Sequence, residues 1–254
     1  MIKSILARIQ QKHRTMGYPD EPAQLPELFQ GYPVLKPEKC PEGCLHCAAA
    51  CPFDAISLNN RLSLDMGKCI FCRECSAACP EGAICFSNDH RLAANRRDDL
   101  IVSAADGQRL AEALSCELLK LLGRSLKLRE VSAAGCNACE ADTNVLNTVG
   151  FDLGRFGIQF VASPRHADGI FITGPVSANM KEALLKTWEA IPEPKIAIAC
   201  GSCAISGGPF RGSPQINDGC SDLIPIDLFI PGCPPHPLTI LDGLLRLIGK
   251  APIL

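Results

Sequence analysis

Cys40, Cys44, Cys47 and Cys51 form one run of thiols, closed by Pro52. Cys69, Cys72, Cys75 and Cys79 form a second, closed by Pro80. The second run has three cysteines at two-residue gaps, a fourth three residues on, then proline, which is the ligand spacing of bacterial 4Fe–4S sites. The first run is the same with one extra residue in its first gap. Two such runs in tandem predict two 4Fe–4S clusters and put electron transfer first among the possible chemistries. A Cys-x-x-Cys-x-x-Cys turn wraps three thiolates around one cube, while the fourth Cys follows after the chain has left that cube and ligates the other. The spacing therefore assigns Cys40, Cys44, Cys47 and Cys79 to one cluster, and Cys69, Cys72, Cys75 and Cys51 to the second.

Competing chemistries fit less well. Zinc ribbons use paired Cys-x-x-Cys but need four ligands per metal, not two runs of four with a trailing proline. A disulfide framework calls for a secretory leader, and MIKSILARIQQKHRTMGYP has no apolar run long enough for one. One cluster with a degenerate second run stays open because of the extra residue between Cys40 and Cys44. The chain has 254 residues, a formal net charge of −2 and no stretch near the roughly 20 apolar residues of a membrane span. The charge offers no nucleic-acid surface. So many thiols persist when reduced or metal-bound, as in the cytoplasm.

The elements that position the two runs repeat with them. Cys51-PFDAISL and Cys79-PEGAICF each read as a turn followed by a short strand, an internal repeat similar to the pseudo-twofold ferredoxin fold. Ahead of it, Ile2, Ile5, Leu6 and Ile9 recur at helical spacing among Lys3, Arg8, Lys12 and Arg14. This predicts a short basic amphipathic helix, either on a membrane surface or membrane subunit, or an ordinary surface helix. Pro19, Pro22, Pro26, Pro33 and Pro37 make the next stretch an extended arm. After the repeat, SNDHRLAANRRDD is turn-like, and leucines at 110, 114, 118 and 121 predict a helix from about Ala105 to Leu122. Cys116 within that helix and Cys85 are expected to be small core residues.

From Ser125 onward, strands alternate with helices. Strands are expected at Leu126–Val131, Gly169–Val176, Ile196–Cys200 and Leu223–Ile230, and helices at Lys181–Ala190 and Leu238–Ile248. The pattern predicts an α/β unit on a doubly wound, flavodoxin-like parallel sheet. The strands at 126, 196 and 223 run straight into Cys-bearing loops. Ligands collect beyond the carboxyl ends of such strands. Cys136, Cys139, Cys203 and Cys233 are therefore expected on one edge, where four thiolates hold a third 4Fe–4S cluster. The expected divisions are 1–38 (basic helix and arm), 39–90 (two-cluster ferredoxin-like α+β domain), 91–124 (connector with helix) and 125–254 (α/β domain).

GCNACE, GSCAISGG and PGCPPHP, with SPRHADGIFITGPVSANM and PEPKIAIACGSC, resemble the small, cluster-bearing subunit of membrane-bound NiFe hydrogenases of the formate hydrogenlyase type over about residues 125–250. The related complex I subunit has two adjacent cysteines where this chain spaces Cys136 and Cys139 by two, which favours the hydrogenase branch. Residues 1–90, including LFQGYPVLKPEKC, resemble the two-cluster ferredoxin-like subunit of the same complexes, so the chain looks like a fusion of two neighbours. The resemblance implies three 4Fe–4S clusters, the third on Cys136, Cys139, Cys203 and Cys233. It implies a NiFe large subunit, membrane-integral subunits and an upstream electron donor as partners, and a peripheral place on the cytoplasmic face of the membrane. It also implies an oxidoreductase subunit that is not catalytic alone. A complex-I-like or nickel-free relative with another acceptor is the alternative. Cys200 and Cys220 match no ligand position. Glu140 is expected to cap or hydrogen-bond, or to lie near a proton path. His166 and His236 are expected to border the cluster loops.

Overall fold

A computed structural model describes residues 2–58, 61–122 and 125–251. The outer ends of the expected divisions, at residues 1, 123–124 and 252–254, lie outside the described residues. Helix α1 (Ile2–Gln11) buries none of its residues. The arm follows, and strand β1 (Pro33–Leu35) closes it. Then come helix α2 (His46–Ala49), strands β2 (Ile56–Ser57) and β3 (Ser63–Asp65), helix α3 (Glu74–Ala77), strands β4 (Ile84–Phe86) and β5 (Ile101–Ser103), and helix α4 (Cys116–Leu122). The remainder alternates: β6 (Leu126–Ser132), α5 (Ala138–Val145), β7 (Ile158–Phe160), β8 (Gly169–Thr173), α6 (Ala178–Ala190), β9 (Ile196–Cys200), α7 (Gly201–Ser206), β10 (Leu228–Ile230) and α8 (Pro237–Leu247).

The cysteine-run segment makes two small sheets. Strand β1 pairs antiparallel with β4, and β2-β3-β5 form a three-stranded antiparallel sheet. Each Cys-Pro turn thus leads into one strand of the repeat, β2 after Cys51 and β4 after Cys79. The bidentate Arg97–Asp65 pair, at 2.7 and 2.8 Å, fixes the turn that delivers Cys69.

Strands β6 to β10 form one five-stranded, all-parallel sheet in the order β10-β9-β8-β6-β7. Its central strands GIFIT and IAIAC are buried at every residue, as expected for strands covered on both faces. Strand alternation sorts the side chains. Ile170, Ile172, Ala197 and Ala199 pack with α6, α7 and the cysteine-run segment. Phe171, Ile196, Ile198 and Cys200 pack with the leucines of α8 and with Tyr18 of the arm. Three layers result, and α7 lies in the face that meets the cysteine runs.

Several elements differ from expectation. The helix expected from Ala105 begins only at Cys116, because its would-be first turns make tertiary bonds instead. The N–H of Ala111 donates to Ala93, that of Glu112 to the Asn95 side chain, and that of Leu114 to Leu247. Cys116 accordingly heads a short helix and is exposed, not core. Strand β10 is shorter than the Leu223–Ile230 expected, since Pro225 has no N–H to give the ladder. Strand β7 escapes a periodicity reading because it is three residues long.

Candidate iron–sulfur centres

In the second run, Cys72 precedes Arg73 at φ 69°, and Cys75 falls in the first turn of α3. In the third loop, Cys136 precedes Asn137 at φ 70°, and Cys139 falls in the first turn of α5. One local geometry, a left-handed residue followed by a helix start, therefore presents both Cys-x-x-Cys pairs. The first run differs. Its extra residue places Gly43 in the left-handed region, and Leu45 before α2 is not left-handed.

The thiols fall into three sets. Cys51, Cys69, Cys72 and Cys75 line one small cavity with Phe53, Leu64 and Phe86. Cys136, Cys139, Cys203 and Cys233 line another at the carboxyl edge of the parallel sheet. Cys40, Cys44, Cys47 and Cys79 are close enough to perturb one another electrostatically. Cys85 and Cys220 stay apart, their thiols facing the carbonyls of Val34 and Ala204. Cys200 is buried with the α8 leucines.

Burial pushes the Cys69 thiol up to about 12, with Cys75, Cys51 and Cys72 adding to the shift. Burial raises Cys75 to about 11 and Cys203 to about 12, each also lifted by neighbouring thiols. Cys139, Cys233, Cys40 and Cys47 move in the same direction, chiefly through burial. Four thiolates crowded into an apolar cavity repel each other, and a bound cationic centre offsets that repulsion. Backbone donors reach the sulfurs as well. Ala55 N–H donates to Cys51 Sγ at 3.4 Å, Ala83 N–H to Cys79 Sγ at 3.2 Å, and Phe71 N–H to Cys69 Sγ at 3.3 Å. Ala55 and Ala83 occupy matching places in the repeat. Gly201, at φ +88°, keeps the third site open, because a Cβ there would lie 2.6 Å from Cys139 Sγ. The donor set, its burial and these N–H···S bonds fit iron–sulfur clusters.

The flanking residues divide. Glu140 is buried and accepts a 2.7 Å hydrogen bond from the Thr173 hydroxyl, which is the bonding role expected of it. His236 caps α8, accepting from the Leu238 N–H at 3.1 Å, and lies edge-on to Phe29 beside the Cys233 loop. His166 does not border the cluster loops. Asp168, two residues on, binds the start of β6 through Lys127, which puts His166 at the opposite, amino edge of the sheet. Ser202 leaves no local signal in the sequence, because the Cys69 carbonyl to which its hydroxyl donates at 2.7 Å is 133 residues away.

Thiol quartets, each with at least one buried member and one of them on the carboxyl edge of a parallel sheet, define an iron–sulfur protein of the oxidoreductase class. The chain belongs to the family described as NADH ubiquinone oxidoreductase, 20 Kd subunit, which matches residues 136–247, and it carries a 4Fe-4S dicluster domain at residues 32–80. Its relatives include the probable membrane-bound hydrogenase subunit mbhJ of Pyrococcus furiosus, 40% identical over 134 residues, covering 53% of this chain and 80% of that protein. Formate hydrogenlyase subunit 7 of Escherichia coli is 39% identical over 137 residues, 54% of each chain, so this chain spans about half of that relative. An NADH-quinone oxidoreductase subunit of Heliobacterium modesticaldum is 42% identical over 119 residues, 46% of this chain and 68% of that one.

Proposed function

We propose that the chain is the electron-relay subunit of a membrane-bound NiFe hydrogenase complex of the formate hydrogenlyase type. In this reading it holds three 4Fe–4S clusters: on Cys40, Cys44, Cys47 and Cys79; on Cys69, Cys72, Cys75 and Cys51; and on Cys136, Cys139, Cys203 and Cys233. Each cluster, when bound, supplies reversible one-electron uptake. The chain's own residues ligate, bury and space the sites, and it is not catalytic alone. The observation that carries the reading is the convergence of the four thiols of the strand-end loops on one cavity, where Ser202, next to Cys203, donates to the Cys69 carbonyl of the second run at 2.7 Å. That contact supports an order in which the second quartet hands electrons to the third.

The strand order, 2-1-3-4-5 when counted within the sheet, supports a doubly wound, flavodoxin-like unit over 125–254. With it go a two-cluster unit over 39–90, a connector over 91–124, and a helix and arm over 1–38. A NiFe large subunit, membrane-integral subunits and an upstream donor are the partners, on the cytoplasmic face of the membrane. No helix among the described residues is long and apolar enough to cross a membrane, in keeping with a peripheral place. A complex-I-like or nickel-free relative with another acceptor is the second reading, favoured by the similarity to the NADH-quinone oxidoreductase chain of Heliobacterium modesticaldum.

The test is EPR of the complex purified anaerobically in mild detergent. Cluster reduction by hydrogen gas supports the hydrogenase reading. Reduction by other donors but never by hydrogen supports the second reading. Clusters that no donor reduces contradict the relay altogether.

A further inference from the structure

Ser202 directly precedes Cys203 and is almost wholly buried. Its hydroxyl lies 2.7 Å from the Cys69 carbonyl and 3.1 Å from that of Gly232. The Gly232 carbonyl already accepts the Ser202 N–H at 2.8 Å. Among the described residues no backbone N–H reaches the Cys69 carbonyl, so the hydroxyl proton belongs to Cys69. One serine therefore touches the backbone beside three thiols: Cys203 by covalent bond, Cys233 through Gly232, and Cys69 through its hydroxyl. One turn later, the Ser206 hydroxyl donates to Gly67 at 2.8 Å. Gly67 packs tightly there, since a Cβ on it would lie 2.8 Å from Ile205 Cγ2 of α7. Helix α7 thus docks on residues 67–69 through two serines, only one of which meets a residue of the thiol quartets.

We infer that Ser202 is the positioning residue of the electron hand-over from the second thiol quartet to the third, its hydroxyl joining the Cys69 loop to the Cys203 loop. This rests on the relay reading above. Electronic coupling decays more slowly through bonded and hydrogen-bonded atoms than across a van der Waals gap. Among the side-chain hydrogen bonds of the described residues, Ser202 Oγ to Cys69 is the one that links the backbones of the two quartets. With clusters bound, the one electron lost by the second would be the one gained by the third, and Ser202 would keep its proton throughout.

The test compares full-length wild-type protein with Ser202→Ala, Ser202→Thr and Ser206→Ala, all purified anaerobically. It reads iron per chain, the potential of each cluster by EPR titration, and the rate of third-cluster reduction after flash injection of electrons, followed by freeze-quench EPR. Ser202→Ala should keep its iron and potentials yet lose the fast phase of third-cluster reduction. Ser202→Thr, which keeps a hydroxyl, should restore that phase. Ser206→Ala loses a comparable docking bond and should transfer at the wild-type rate. A fast phase retained in fully loaded Ser202→Ala, or lost equally in Ser206→Ala, overturns the inference. Should Ser202→Ala shed iron, Ser202→Thr decides, and a slow but fully loaded threonine variant overturns it too. Wild-type protein without iron would instead sink the relay reading beneath it.

Discussion

Gly201 is the position where one added methyl should empty one cluster site. At φ +88° its Cβ would stand 2.6 Å from Cys139 Sγ, a separation that no relaxed contact tolerates. A left-handed alanine costs about 1–2 kcal/mol. Overpacking a filled site costs about 1–3 kcal/mol more. Gly201→Ala should therefore weaken the third site by about 2–5 kcal/mol, felt in cluster binding because the sulfur is what must move. Iron and acid-labile sulfide should fall from about twelve to about eight per chain, with one EPR signal gone and two retained. Gly43→Ala is the control. Gly43 is also left-handed, at φ +74°, but has nothing within 4 Å of its Cβ position. It should suffer the backbone cost alone and keep its iron. A Gly201→Ala protein with about twelve irons and three unchanged signals would refute the steric reasoning.

Three further outcomes follow from particular side chains. Burial, reinforced by Glu140, raises Glu130 from 4.5 to about 7. The folded state therefore binds a proton more tightly than the unfolded chain, and this contribution, full below pH 4.5, is lost as pH rises through 7. Allowing for its partial exposure, Glu130→Gln should gain about 1–3 kcal/mol over wild type between pH 5 and pH 8 in chemical denaturation; an equal difference at both pH values would contradict this. Thr173→Val removes the hydroxyl that Glu140 accepts and should destabilise by about 1–3 kcal/mol, whereas Thr173→Ser should recover most of it in the same melts. Deleting residues 2–11 removes a helix with no buried residue. Iron content and unfolding temperature should stay at wild-type values while retention on anionic vesicles falls, and a loss of iron would show that α1 supports the fold after all.

What was legible in the sequence is what is encoded locally. The Cys-x-x-Cys spacing and trailing prolines mark the two runs because three ligands of a cube come from one turn. The loops after β6, β9 and β10 were visible because each follows an apolar strand directly. Longer-range facts were not. Leucine periodicity through residues 110–121 suggested a longer helix because it carries no record of Ala93, Asn95 and Leu247 taking up the backbone donors. His166 shows that the edge of the sheet follows from strand direction: it lies three residues before β8 begins at Gly169, so it sits at the amino edge, opposite the cluster loops. The buried network of Tyr18, Asp242 and His90 joins residues up to 224 apart, and Ser202 likewise acquires its meaning only when α7 meets the second run.

The most direct measurement of the central claim is iron and acid-labile sulfide per chain in anaerobically purified protein, with EPR of the dithionite-reduced sample. Three sites predict about twelve of each and magnetically interacting 4Fe–4S signals. About eight, or zinc in place of iron, would contradict a three-cluster wire.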